Sequence, residues 1–188
     1  MRKRIAIVGY GPTGKDAPFK DKHWECWGLN NLHEQIDGTG FDRWFQLHRW
    51  NWLANTWAEP FERHRKWLKK QTMPVYVWDT KEWRKDAPSC VRYPKAKVES
   101  LTSHGYYHTW SMDWMLALAI AMHPVEIACF GFQGLVGEPL RAGPSAEYWM
   151  GVAEGRGIPV TVHGDSEFFK NEVRLLVKMQ YGVRGYPN

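Results

Sequence analysis

The sequence predicts an α/β fold: a three-layer, doubly wound, mainly parallel sheet of Rossmann-like type, in a single domain. Three observations carry this. A short apolar run, Arg4-Ile5-Ala6-Ile7-Val8, opens into the Gly-rich turn Gly9-Tyr10-Gly11-Pro12-Thr13-Gly14, and strands covered on both faces lose apolar/polar alternation in this way. Further short apolar strands alternate with helical patterns along the chain. Several of these strands end in polar or Gly-rich residues, and the carboxyl ends of strands are where such sheets bind ligands.

Strand one covers residues 4–9, and its glycines supply a turn that can take positive φ and let a ligand approach the backbone. A second strand, 24–29, ends in Asn30-Asn31, and a third, 43–47, ends in His48. Residues 60–71 have helical spacing, with Phe61, Trp67 and Leu68 facing inward, and 74–78 form another strand. Segment 79–100 is polar, holds Pro88 and Pro94, shows no sustained period and reads as one long loop. Residues 111–122 form a strongly apolar helix with Ser111 or Thr109 as its N-cap. A central strand follows at 125–131, then a loop, 132–144, and a helix, 145–155, that stops near Gly155 or Gly157. A strand at 158–162 and an amphipathic helix at 166–179 complete the domain, placed at 1–181, with 182–188 as a flexible tail.

A chain of 188 residues can bury a core without staples. With 44% hydrophobic and 24% charged residues it reads as an ordinary soluble domain. No run of 18 apolar residues predicts a membrane span. The apolar stretch after Met1-Arg2-Lys3-Arg4 ends at Val8, too short for a signal-peptide core, so the cytoplasm is the expected compartment. Cys26, Cys90 and Cys129 show no CxxC spacing and read as buried free thiols; no metal site is expected. The net charge of +5 favours anionic partners. The cluster Arg63, Arg65, Lys66, Lys69 and Lys70 reads as a solvated helix face, so a nucleic-acid partner stays open but is not indicated. Of the twelve tryptophans, Trp27, Trp44, Trp78 and Trp114 fall where core is expected. Trp50, Trp52 and Trp57 follow a strand end and read either as core or as a platform for stacking a base.

The candidate site gathers the strand ends. Gly9 to Gly14 has the GxGxxG spacing, but Pro12 lacks a backbone donor, and Asn30-Asn31 stand where a dinucleotide site wants an acidic residue. This disfavours a nicotinamide dehydrogenase, and without GKS or GKT the turn is not a Walker A loop. Asn30 and Asn31 suit ribose hydroxyls, base edges or phosphate oxygens, or else plain turn chemistry. His48 is a candidate general base or phosphate donor, against a structural role. Ser111 can aim its hydroxyl and the free N–H groups of its helix at an anion, or simply cap the helix. Phe132 and Gln133 extend the same edge. Arg49 and Arg141, the one cation between residues 132 and 145, are candidates to stabilise phosphate charge.

With these residues placed, the chain resembles a Rossmann-like group that includes CMP-sialic-acid-dependent bacterial sialyltransferases, motility accessory glycosyltransferases and archaeal hydroxymethylpterin diphosphokinases. It resembles still more closely uncharacterised proteins of similar length in tailed-phage genomes. The matching order is G-x-G-P-[ST] at Gly9 to Thr13, Trp27-Gly28-Leu29-Asn30, and D-R-W-F-x-L-H at Asp42 to His48. A Ser-led apolar helix then runs into a strand ending in Gly-aromatic, Ser111 to Phe132, and E-Y-x-x-G-x-A-x-G-R-G-I-x-V spans Glu147 to Val160. The resemblance covers roughly residues 4–168. It implies a nucleotide or nucleotide-sugar ligand contacted by Gly9, Gly11, Thr13, Asn30 and Ser111, with Pro12 of the same turn a further candidate contact, and group transfer, of glycosyl type, as the reaction. The chain departs from the group where Gly131-Phe132-Gln133 replaces Gly-x-Asp, and where residues 134–145 hold no histidine. No cofactor is assigned, and a homo-oligomer is left open. The expectation is a phage-type transferase acting in the host cytoplasm with His48 as base. Two other readings stand beside it: a non-catalytic protein that sequesters a nucleotide in counter-defence, and a DNA-binding or DNA-modification protein.

Overall fold

The structure is a computed structural model that describes residues 3–37, 39–56, 58–132 and 139–164. Among these residues seven parallel strands form one sheet: β1 (Arg4–Val8), β2 (Trp24–Leu29), β3 (Arg43–Phe45), β4 (Val75–Val77), β5 (Cys90–Arg92), β6 (Ile127–Phe130) and β7 (Val160–Val162). Their order is β5-β4-β3-β2-β1-β6-β7. The chain winds outward from β1 to β5, returns across the sheet, and continues on the other side of β1. The reversal between β1 and β6 is the topological switch point of a doubly wound fold.

Residues Ile5 to Val8 of β1 and all four of β6 are buried, which is why neither strand alternates in sequence. Val8 pairs with Phe130 and Ile7 with Trp27, so these strands end together at the carboxyl edge. In β2, Gly28 has no side chain where Trp44 of β3 lies; a Cβ there would stand 2.2 Å from the indole.

Among the described residues six α-helices accompany the sheet: α1 (Trp50–Thr56), α2 (Ala58–Leu68), α3 (Thr80–Trp83), α4 (Lys95–Glu99), α5 (Ser111–Ala121) and α6 (Pro139–Gly155). Helix α5 is buried on nearly every side, Trp114 being the exception past Ser111, so its sequence is apolar all round rather than amphipathic. None of the helices is long and apolar enough, among the described residues, to cross a membrane.

Strands β1 to β4, β6 and β7 and helix α5 fall where the sequence predicts, β2 with the expected bounds and the others with ends shortened by at most two residues. The long loop expected over 79–100 is instead α3, β5 and α4. Asp79 accepts the Lys81 N–H at 2.8 Å to start α3, Trp83 is buried, and β5 pairs in parallel with β4 as the sheet's edge. These elements are too short for hydrophobic period to show. Helix α1 was not expected after His48, and α6 begins at Pro139 rather than at residue 145. The predicted helix at 166–179 and the boundary at 181 lie outside the described residues, as does Trp57.

All three cysteines are free and buried. Burial pushes the Cys26 thiol up to about 12, so it stays protonated and unreactive. The basic run on α2 is largely ion-paired: Arg63 meets Glu59 and Glu34, and Arg65 and Lys69 meet the buried Asp86.

Candidate functional site

The Gly-rich turn is a closed clasp at the switch point. Gly9 donates its N–H to the Phe130 carbonyl at 2.7 Å, and Gly11 donates to Gly131 at 3.0 Å. The Gly131 N–H returns to Thr13 Oγ1 at 2.8 Å, and the Thr13 hydroxyl donates to the His163 carbonyl at 3.0 Å. A Cβ on Gly9 would lie 2.2 Å from Met112 Cε and 2.6 Å from the Gly131 oxygen. The positive φ expected in this turn belongs instead to Gly131, at 68°. Gly11 is extended, at φ −67° and ψ 164°, and Pro12 opens a short 3-10 turn. Thus Gly9 is required for close approach, Gly131 for conformation as well, and the hydroxyl of Thr13 is already engaged.

The end of β2 joins this clasp through Tyr10, whose hydroxyl donates to Asn31 Oδ1 at 2.8 Å. Asn30 is buried and held in the left-handed region at φ 47°. Its N–H donates to the Phe45 carbonyl, and its own carbonyl accepts from Trp44 Nε1 at 3.0 Å. Its Oδ1 is buried and meets no donor among the described residues.

Ser111 heads α5, but its hydroxyl is not the cap. Asp113 reaches back instead, its Oδ2 accepting the Thr109 N–H at 2.9 Å, the Trp110 N–H at 3.3 Å and the Ser145 hydroxyl at 2.6 Å. Trp110 Nε1 donates to Oδ1 of the same carboxylate. Desolvation outweighs these bonds and pushes the Asp113 carboxyl up to about 6. A raised carboxyl pKa favours the protonated fold, so this stability is complete below about pH 4 and is lost as pH rises through 6. The melting-temperature advantage of the protein over Asp113→Asn should therefore shrink between those pH values. An advantage that grows over that interval contradicts the sign.

Phe132 is fully buried with its ring 6.0 Å from that of Trp110, so it closes the core beneath the clasp. Gln133 and the Arg141 side chain lie outside the described residues. Among the described residues, no group of three or more His, Cys, Asp or Glu is placed to hold a metal ion.

His48 and Arg49 open a second feature, a cavity of about 700 Å³ over the carboxyl ends of β3, β4 and β5. Leu47, His48 and Arg49 follow β3, Trp78 follows β4, and Arg92 ends β5. Tyr93, Lys95, Trp52 and Trp114 complete it. Burial alone lowers the His48 pKa, so the ring is neutral at pH 7, and it stacks on Trp52 at 4.9 Å. Trp114 stands edge-on to Trp78 at 4.8 Å and to Tyr93 at 5.5 Å. Tyr93 fixes it further by donating to its carbonyl at 2.7 Å, and His108 stacks on it at 3.5 Å. Trp78 and Trp114, expected in the core, are thus half-buried cavity walls.

Behind β3, a buried relay braces the strand end. Gln46 Oε1 can only accept, so His64 Nε2 donates to it at 2.8 Å and His64 Nδ1 accepts from His33 Nε2 at 2.9 Å. Burial takes His64 down to about 3, keeping it neutral.

The single edge expected from sequence is therefore two adjoining parts, linked by the first turn of α5. Met112 abuts Gly9 in the clasp, and Trp114, two residues on, lines the cavity. Gly9, Gly11, Thr13 and Asn31 come together with Asn30 beside them; His48 and Arg49 stand in the cavity. Arg92, Tyr93 and Lys95 were missed because they sit in the segment read as a loop. The signal available was the Cys90-Val91 apolar pair running into Arg92.

No family model matches the chain, and no curated relative does. Solved structures do share its fold. An apo α-2,3-sialyltransferase from Campylobacter jejuni superposes with a TM-score of 0.59 at 12% identity, over 91% of this chain and 78% of that one. The sialyltransferase CstII of the same organism, in complex with cytidine-5'-monophosphate, gives 0.58 at 13% identity over 85% and 79%. The monofunctional α-2,3-sialyltransferase Cst-I gives 0.57 at 10% over 91% and 78%. The chain thus has the Rossmann-like fold of the Campylobacter sialyltransferases, a likeness of architecture at low sequence identity.

Proposed function

We propose that the protein binds a nucleotide or nucleotide-sugar beside the clasp, at the ends of β1 and β2, and transfers the activated group to an acceptor in the cavity. The observation that carries this reading is Asn30. Its buried Oδ1 has no donor among the described residues, and leaving such a group unmet costs about 1–3 kcal/mol. A ribose hydroxyl or a base amino group would meet it. Solved structures of this fold in complex with CMP and with the substrate analogue CMP-3FNeuAc support the same ligand class.

In this reading His48, neutral at pH 7, accepts the proton of the acceptor hydroxyl. The acceptor oxygen bonds to the transferred carbon, the bond from that carbon to the nucleotide phosphate oxygen breaks, and the nucleotide leaves as its anion. Arg141, by its place in sequence, is the cation assigned to that phosphate.

Calorimetric titration with CMP, UMP, AMP, GMP and CMP-sugars tests the binding step. Asn30→Gly, which keeps the left-handed backbone and removes the amide, should weaken the best-bound nucleotide about tenfold while leaving the melting temperature within a few degrees. Unchanged affinity, or no binding by any nucleotide, defeats the proposal. Binding without release of the sugar would leave a nucleotide-binding protein rather than a transferase.

A further inference from the structure

We infer that the cavity over β3, β4 and β5 selects an anionic saccharide of one or two rings, so that the acceptor in the proposed transfer carries a carboxylate or a phosphate. This rests on the reading above for the word acceptor alone; the ligand chemistry is read from the cavity.

The first argument is charge. Arg49, Arg92 and Lys95 line the cavity, and none of its nine described lining residues is acidic. Elsewhere Arg4, Arg43, Arg63 and Arg65 each hold a carboxylate. Arg49 and Arg92 hold none among the described residues, and Lys95 has only the partly buried Glu99, at 3.4 Å, along its own helix. Such a surface pair yields readily to a better-placed anion. Three cations facing one concavity raise the local potential for an anion, and an arginine fork matches a carboxylate or a phosphate in two-point contact.

The second argument is shape. Trp52 is 48% exposed and stacks on His48 in the cavity wall. Trp78 and Trp114 meet at 82°, so they make a corner rather than a flat stack. A pyranose ring presents apolar C–H faces that pack on such rings, while its hydroxyls stay hydrated or meet the cations. The third argument is size: about 700 Å³ holds a mono- or disaccharide, and a duplex does not enter it.

The test uses the whole chain without nucleotide. Quenching of tryptophan emission reports cavity occupancy while glucuronate, glucose 6-phosphate and neutral glucose are titrated. One or both anionic sugars should bind at least about tenfold better than glucose, and which one does so names carboxylate or phosphate as the recognised group. Arg92→Gln and Lys95→Gln, both at exposed positions, should each reduce that preference about threefold to tenfold, and added salt should reduce it as well. Their affinity for a nucleotide should remain that of the parent chain. Equal binding of all three sugars overturns the inference. So does an anionic preference that survives both substitutions, or displacement of the anionic sugar by nucleotide with loss of nucleotide affinity in Arg92→Gln. Failure of the nucleotide site itself would show in Asn30→Gly and leave these sugar titrations unchanged.

Discussion

Gly131→Ala should destabilise the protein by about 3–5 kcal/mol, a loss readable as a large fall in the urea midpoint. Two effects add. At φ 68° an alanine occupies the left-handed region, which costs about 1–2 kcal/mol. The new Cβ would also stand 2.5 Å from the Gly9 oxygen, 2.8 Å from the Gly9 carbon and 2.9 Å from the Gly11 nitrogen. All three are backbone atoms, so no rotamer change relieves the contact. Either β1 and β6 part at their carboxyl ends or the Gly11–Gly131 hydrogen bond at 3.0 Å is lost, and the Thr13 bridge with it.

Gly157→Ala separates the two effects. Gly157 has nearly the same φ, 72°, but a Cβ there meets nothing within 4 Å. It should cost only the conformational part, about 1–2 kcal/mol. A Gly131→Ala protein no less stable than Gly157→Ala would mean that the clasp is looser than its geometry states. Because the clasp seats Tyr10, and Tyr10 seats Asn31, the Gly131 variant should also bind nucleotide less well at temperatures where it remains folded.

How much of this was legible in the sequence depended on how each residue's environment is averaged. β1, β6 and α5 lie in the interior, and burial on every side writes itself as an unbroken apolar run. β5, α3 and α4 lie at the sheet's edge, where three to five residues mix buried Cys90, Trp83 and Val98 with exposed neighbours. No period survives in so short a piece, and Arg92 and Lys95 went unnoticed with it. The tryptophans show a second limit: composition marks Trp78 and Trp114 as large and apolar but does not separate a core ring from a wall ring. The Gly-rich turn shows a third. Its position was readable, yet the residue that needs positive φ is its partner 120 residues away, Gly131, a relation only the β1–β6 pairing reveals.

His48→Phe should lower donor turnover by about 10²–10⁴-fold while leaving nucleotide affinity unchanged. Phenylalanine keeps a flat ring to stack on Trp52 and fills the cavity wall, but it cannot accept a proton. His48→Ala removes both ring and base, so equal losses in the two variants assign the effect to the base. If His48→Phe transfers normally and His48→Ala does not, the histidine is a wall and the proton goes elsewhere. The pH profile supplies a second readout. An ordinary imidazole is half protonated near pH 6.5, and burial lowers the His48 pKa below that. Turnover should therefore fall to half only at a pH below about 6.5. A profile already halved near 6.5 would mean that His48 titrates as a solvent-exposed histidine, and then its neutrality in the cavity, on which its role as base depends, would not stand.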